Sequence, residues 1–296
     1  MTQTAASPAI SEPLIRTVAV KEAYNGKDAR LCYAYWPPQG ILKDTVVAVH
    51  GLSRQKRDFD YLARFLAARG YAFYAVDAPG RGGSEFLPQE DYSLLNFASI
   101  FSAFLKQMDL PRVHWVGTSM GGLLAMVMSM TEQAGAFKTL TLVDITHKPN
   151  RAALDRIAGY MTEHMPVFTS LAQYGSFLRQ NLPLGDVPES IWAHYAEHQL
   201  KKVAGGFTFH FDPKIVAPSI VALKADIDLA EGIKKLSCPV ALVAGGISDL
   251  CTQKEIDDLH ALCPALKLHV VPKAGHVPAL CDDASQQFIF EHLSVA

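Results

Sequence analysis

Long apolar runs are missing from this sequence: no stretch approaches the ~18 to 20 continuous apolar residues that a membrane helix requires. Blocks of like charge are missing too. The 296 residues carry 27 Lys and Arg against 29 Asp and Glu, a formal net charge of −2, so neither a phosphate backbone nor an anionic membrane finds a basic face to bind. Nucleic acid and membrane are therefore not expected partners. Cysteine is sparse, and Cys32, Cys238, Cys251, Cys263 and Cys281 form an odd set with no C-x-x-C spacing. That pattern argues against a metal site of paired cysteines and points to free thiols in a reducing cytoplasm. Residues Met1 to Pro13 contain no Lys or Arg and no continuous apolar core, unlike a signal or transit peptide; they are expected to form a flexible leader.

What is present is the composition of a soluble globular protein, 49% hydrophobic and 19% charged, long enough for one large domain or a core domain with an insertion. Two β-forming stretches, Arg16 to Tyr24 and Ala29 to Trp36, flank Asn25-Gly26, a hairpin turn signal. Thr45 to Val49 and Tyr71 to Val76 are short apolar strands of the type buried on both faces. Helical spacing covers Asp58 to Arg69, with Gly70 as a stop, and Ser93 to Met108. Further strands are expected at Lys138 to Ile145, Pro239 to Ala244 and Leu266 to Val271. With helices from Met120 to Gln133, from Thr252 to Leu262 and at the end of the chain, this alternation predicts a parallel sheet covered on both sides. The rhythm breaks after His147. Between Pro149 and Leu236, helices are expected at Arg151 to Met161, Ser170 to Asn181 and Glu189 to Val203, with one strand-like segment at Phe207 to Phe211. This reads as a mostly helical lid, residues 148–236, inserted into a core of 1–147 and 237–296.

The chemistry centres on Gly117-Thr118-Ser119-Met120-Gly121. An apolar stretch rich in β-branched residues runs into Gly-x-Ser-x-Gly and straight on into a helix-like segment, the layout of a nucleophile elbow. A serine on so sharp a turn needs strained backbone angles, and bulky neighbours at 117 and 121 would collide with the turn. The helix beginning at Met120 aims backbone N–H groups at the serine, where negative charge would develop. Ligands of open parallel sheets bind beyond the carboxyl ends of the strands. The polar strand-end residues expected to converge there are His50, Asp77, Ser119, Asp144, Asp249 and His276. A serine nucleophile needs a base, and the base needs an acid. Gly275-His276, after a strand, offers the base, and Gly246-Ile247-Ser248-Asp249 offers the acid, in the order Ser, Asp, His.

On Val49-His50-Gly51-Leu52, Asp77-Ala78-Pro79-Gly80-Arg81-Gly82-Gly83-Ser84, Gly117-Thr118-Ser119-Met120-Gly121-Gly122, Ser248-Asp249 and Gly275-His276, the chain resembles the α/β-hydrolase superfamily. The branch resembled is that of cofactor-free, cap-bearing serine esterases, lactonases and carbon–carbon bond hydrolases. The resemblance covers about residues 45 to 145 and 238 to 293. It implies a mostly parallel eight-stranded sheet with helices on both faces and a mostly helical cap after strand 6, no cofactor and no metal. It also implies an oxyanion hole from the backbone N–H groups of Leu52 and Met120. Some family members place their acid at the position of Asp144, but Asp249 is preferred because its strand-end loop is the commoner site.

Other residues have plainer expectations. His50 orders its loop through hydrogen bonds, and Asp77 and Ser84 hold the loop after the fourth strand, whose glycines lack phosphate-cradle spacing. Arg54, Lys56 and Arg57 read as a solvated face, although an inward Arg54 could hold a substrate carboxylate bidentately. Of the aromatic residues Phe168, Tyr174, Phe177, Trp192, Tyr195, Phe207 and Phe209, most are expected to pack a core and a minority to line an apolar pocket over Ser119. The expected activity is hydrolysis of a small to medium carboxylic ester or lactone through an acyl-enzyme. A carbon–carbon hydrolase of ring-cleavage products, an acyltransferase and a ligand-binding receptor on the same scaffold are the alternatives, and homo-oligomer formation stays open.

Overall fold

The computed structural model describes residues 12–161, 164–182 and 184–295; most of the expected leader lies outside them. The chain opens with the antiparallel pair β1 (Leu14–Tyr24) and β2 (Lys27–Trp36). Asn25 and Gly26 join them at φ +48° and +71°, the left-handed pair that matches the twist of a two-residue hairpin. The strands β3 (Asp44–Val49), β4 (Tyr71–Val76), β5 (Val113–Thr118), β6 (Phe137–Val143), β9 (Val240–Gly245) and β10 (Lys267–Val271) complete one eight-stranded sheet in the order β1-β2-β4-β3-β5-β6-β9-β10. Pairing is parallel from β4 through to β10 and antiparallel where β2 meets β1 and β4. The central strands are short, apolar and buried on both faces because helices cover both sides.

On one face α1 (Asp60–Ala67) and α10 (Asp283–Leu293) pack through Leu62, Leu66, Ile289 and Leu293 against Val46, Phe73 and Val116. On the other, α2 (Leu94–Gln107) and α3 (Met120–Ser129) bring Phe101, Phe104 and Leu124 onto Val47, Trp115 and Leu142. The helix boundaries follow their local signals: Ser93 caps α2 by accepting from the Asn96 N–H, and Thr252 with Glu255 forms a capping box on α9 (Gln253–Leu262). From β3 the chain moves towards β4, whereas β5 lies on the other side of β3. The sheet therefore changes direction between β3 and β5, and a crevice opens beyond their carboxyl ends.

Between β6 and β9 lie α4 (Arg151–Tyr160), α5 (Leu171–Asn181), α6 (Glu189–His198), α7 (Val216–Lys224) and α8 (Ala230–Lys234), with a hairpin of β7 (Leu200–Val203) and β8 (Gly206–Phe209). The expected helix to Val203 instead ends at His198. Gly205 and Gly206 turn the chain at φ +84° and +150°, and Leu200 to Val203 pair back onto 206–209, so cross-strand pairing overrides the local helical preference of the lysines. Helix α7 was not expected, and it contains Pro218. The proline sits in the first turn, where the missing N–H has no intrahelical partner to lose.

The elbow depends on close backbone contact. A Cβ on Gly121 would lie 2.0 Å from the Val49 carbonyl oxygen, and one on Gly117 2.4 Å from the Gly121 carbonyl oxygen. Both clashes are with backbone, which cannot rotate away. Gly121→Ala is therefore expected to lower stability by about 3 kcal/mol or more, beyond the ordinary range of point substitutions, read as a fall in the urea midpoint; an unchanged midpoint would refute the packing.

Candidate active site

Ser119 sits between the end of β5 and the start of α3 at φ +49°, ψ −109°. The turn is clamped by the Ser119 N–H donating to the Val143 carbonyl (2.9 Å) and by the Ser119 carbonyl accepting from Gly122 and Leu123 (2.9 and 3.1 Å). Trp115, fully buried in β5, donates its indole N–H to the Gly121 carbonyl at 3.1 Å. The strain is thus held by neighbours on three sides. Met120 begins α3, so its N–H is one of the donors that a helix leaves without an internal acceptor.

Across the crevice, the loop after β3 is ordered by two buried side chains. His50 Nδ1 lies 2.7 Å from the Gly51 carbonyl, and its Nε2 accepts the Ala78 N–H at 3.0 Å. These partners require the neutral ring with the proton on Nδ1, and burial pushes the pKa of His50 down to about 4. Arg81, 1% exposed, donates from Nε to the Leu52 carbonyl (2.8 Å) and from Nη1 to the Pro79 carbonyl (2.7 Å). The Leu52 N–H has no acceptor among the described residues. Arg81 was not singled out from sequence. Its only signal there was a long cation inside the glycine-rich loop of 77–84, which reads as a turn. Asp77 and Ser84 hold that loop as expected: Asp77 accepts from the Lys56 N–H and Nζ (2.7 and 2.6 Å) and the Gly83 N–H (2.8 Å), and Ser84 Oγ donates to the Asp77 carbonyl at 2.7 Å.

His276 follows β10, and its Nδ1 lies 2.7 Å from Asp144 Oδ2. A carboxylate only accepts, so Nδ1 carries the proton and Nε2 is left as the acceptor. Asp144, at the end of β6, is fully buried, and its other oxygen accepts the Gly245 N–H at 2.8 Å. The expectation that Asp249 would partner the imidazole is corrected here. Asp249 stands half exposed on the cavity lining, and its oxygens accept from Arg156 Nε and Nη2 at 2.6 and 2.8 Å. That hydrogen-bonded pairing holds its carboxyl below the usual range. The loop after β9 instead contributes Ser248, whose Oγ donates to Asp144 Oδ2 at 2.6 Å.

Ser119, His276, Leu52 and Met120 line one cavity of about 990 Å³ between the sheet edge and the helices that follow β6. Tyr174, Phe177, Tyr195 and Phe209 face it from above, while Phe168 belongs to the packed cluster behind. The expected solvated face of Arg54, Lys56 and Arg57 is also corrected. Lys56 is buried against Asp77 and Arg57 pairs with Asp60 at 2.5 Å, because buried carboxylates need counter-charges. Arg54 does reach the cavity, but its Nε is held by Asp58 (2.6 Å) and its Nη1 by Gln199 (2.9 Å), with its guanidinium 4.5 Å over Tyr195.

A strand-to-helix turn of this kind, at the point where a mostly parallel sheet changes direction, defines the hydrolase class with a nucleophile elbow. The chain belongs to the alpha/beta hydrolase family, whose model matches residues 46–289. Among curated proteins it is similar to the 3-hydroxybutyrate-oligomer hydrolase of Cupriavidus necator, 28% identical over 268 residues, 86% of this chain and 89% of that one. It is also similar to the pimeloyl-[acyl-carrier protein] methyl ester esterase of Aeromonas salmonicida, 27% identical over 82% of this chain and 92% of that protein. In fold it matches an alpha/beta hydrolase from Novosphingobium aromaticivorans, with a TM-score of 0.85 and 23% identity over 97% of this chain and 99% of that one.

The neutral His50 has a consequence in acid. Its folded pKa of about 4 lies below the 6.5 of an unperturbed imidazole, so between those values the unfolded chain takes up a proton that the folded chain refuses. Stability should be unaffected by this group above pH 6.5 and fall by up to about 1.4 kcal/mol per pH unit below it, levelling near pH 4. Urea melts from pH 7 to 4 on wild type and His50→Gln should differ by that slope; parallel profiles would remove His50 as the cause.

Proposed function

We propose that the protein hydrolyses small to medium carboxylic esters through an acyl-enzyme on Ser119. The observation that carries this reading is the Asp144–His276 pair at 2.7 Å in the cavity that Ser119 lines. His276 Nε2 takes the proton of Ser119 Oγ as it attacks the ester carbonyl, and Asp144 holds the ring and supports its positive charge. The N–H groups of Leu52 and Met120 stabilise the oxyanion. His276 then returns the proton to the leaving alcohol, and a water activated by the same imidazole releases the acid. The chain would divide into a core of 1–147 and 237–296 and a cap of 148–236. The likeness to ester-cleaving relatives supports the bond class, and the short hydroxyacyl ester named for the Cupriavidus relative is the substrate class to try first. The five free thiols fit a cytoplasmic site of action.

Short-chain aryl esters and 3-hydroxybutyrate oligomers provide the assay. Ser119→Ala should abolish turnover, and Asp144→Asn should lower kcat by about 10³- to 10⁴-fold through loss of the correct tautomer. Asp249→Asn should change kcat by less than about fivefold, because it removes only a solvent-exposed ion pair. The reverse ranking of the two aspartates would overturn the assignment of Asp144. Ser119→Gly should be more stable than Ser119→Ala by about 1 kcal/mol, since glycine relieves the strained turn; equal melting temperatures would argue that the turn is relaxed.

A further inference from the structure

Helix α6 carries two histidines, His194 and His198, four residues apart and so on one face. That face meets Asp60, the first residue of α1. His194 Nε2 lies 3.4 Å from Asp60 Oδ2, and the two imidazole ring centres are 4.5 Å apart. One nitrogen from each histidine and one oxygen of Asp60 fall within 4.8 Å of one another. Asp60 is 1% exposed, and although Arg57 occupies its Oδ2, its Oδ1 is buried without a hydrogen-bond partner among the described residues. A buried carboxylate oxygen left unpaired is unfavourable, and it asks for a missing cation or donor. His198 has no described partner for either ring nitrogen, whereas His194 Nε2 lies 3.0 Å from the Arg57 carbonyl, a hydrogen bond that an ion bound at this nitrogen would replace.

We propose that Asp60, His194 and His198 form a site for a divalent borderline-soft metal ion, zinc above all, that pins the helix α6 to the core. Two imidazoles and one carboxylate are a three-ligand zinc set with a fourth position for water. Two nitrogen donors disfavour magnesium and calcium, which select oxygen. Tetrahedral coordination at about 2.0 to 2.1 Å places ligand atoms about 3.4 Å apart, so the present spacing closes by rotation of the two half-buried imidazoles. The nearest cation is Arg57, whose charge is divided between Asp60 and Glu12; Arg64 donates only to the Asp60 backbone carbonyl at 3.3 Å.

The position gives the ion a consequence. Tyr195 and Gln199, one residue further along from each histidine, line the cavity over Ser119 and hold Arg54. Coordination at His194 and His198 fixes the helix that supplies this wall. The site is independent of the ester reading, and its test does not use activity.

Full-length protein dialysed against a chelator is titrated with zinc chloride against a chromophoric competitor, and its melting temperature is recorded with and without the ion. One zinc per chain at micromolar or tighter affinity is expected, with a rise of several degrees in melting temperature. Both effects should weaken at least tenfold, or vanish, in His194→Ala and His198→Ala whose metal-free melting temperatures match wild type. No binding up to millimolar zinc, or binding unchanged in both variants, overturns the proposal. Anomalous diffraction from zinc-soaked wild-type crystals decides the matter without any variant. A peak within about 2.5 Å of the His194 and His198 nitrogens supports the site, and a peak found only elsewhere refutes it.

Discussion

The constraint on which the rest of this structure depends is the contact of the α3 N-terminus with the ends of β3 and β5. Gly121 touches the Val49 carbonyl so closely that no side chain fits. That contact forces Ser119 into a conformation an isolated chain would avoid. It also sets the Met120 amide and the His50-Gly51-Leu52 loop on either side of one crevice. The sheet's reversal between β3 and β5 opens that crevice, and the apolar slabs on both faces make it rigid.

Around this contact, charge is handled by burial with partners rather than by exposure. Asp77 takes Lys56 and two backbone amides, Arg81 takes two carbonyls, and His50 stays neutral between an acceptor and a donor. Burial lowers the pKa of Arg81 to about 10, and the guanidinium persists because its hydrogen bonds replace water. These groups work mainly on loop backbone; His50, Lys56 and Asp77 lie behind the cavity lining, and Arg81 borders it. The proposed oxyanion donors thus owe their direction to side chains bonded to the loop backbone rather than to the donors themselves.

Much of this was legible in the sequence, for physical reasons that differ by element. The apolar strands, the Asn25-Gly26 turn and the capped helices are local, so residue type and spacing suffice. Ser119 and His276 were legible because turn glycines mark their positions. The partner of His276 was not, since Asp144 and Asp249 both lie in segments that follow strands. What separates them is pairing: the loop after β9 brings Ser248 to Asp144 and Asp249 to Arg156. The segment between β6 and β9 hid more, because β7 is made by pairing and α7 tolerates its proline only by register. Arg81 and Lys56 read as loop and surface because the carbonyls and carboxylate they serve come from distant strands.

The seam between that segment and the sheet is polar where it passes over the cavity. Arg54 and Asp58 from one side meet Gln199 and Tyr174 from the other, with Gln199 bonded to all three. Apolar surfaces can slide over one another in small steps, but a chain of directional hydrogen bonds fits in one alignment and is lost in the next. The upper wall of the cavity is therefore indexed rather than merely adhered, and the helices above Ser119 are held to the loop below them in one alignment.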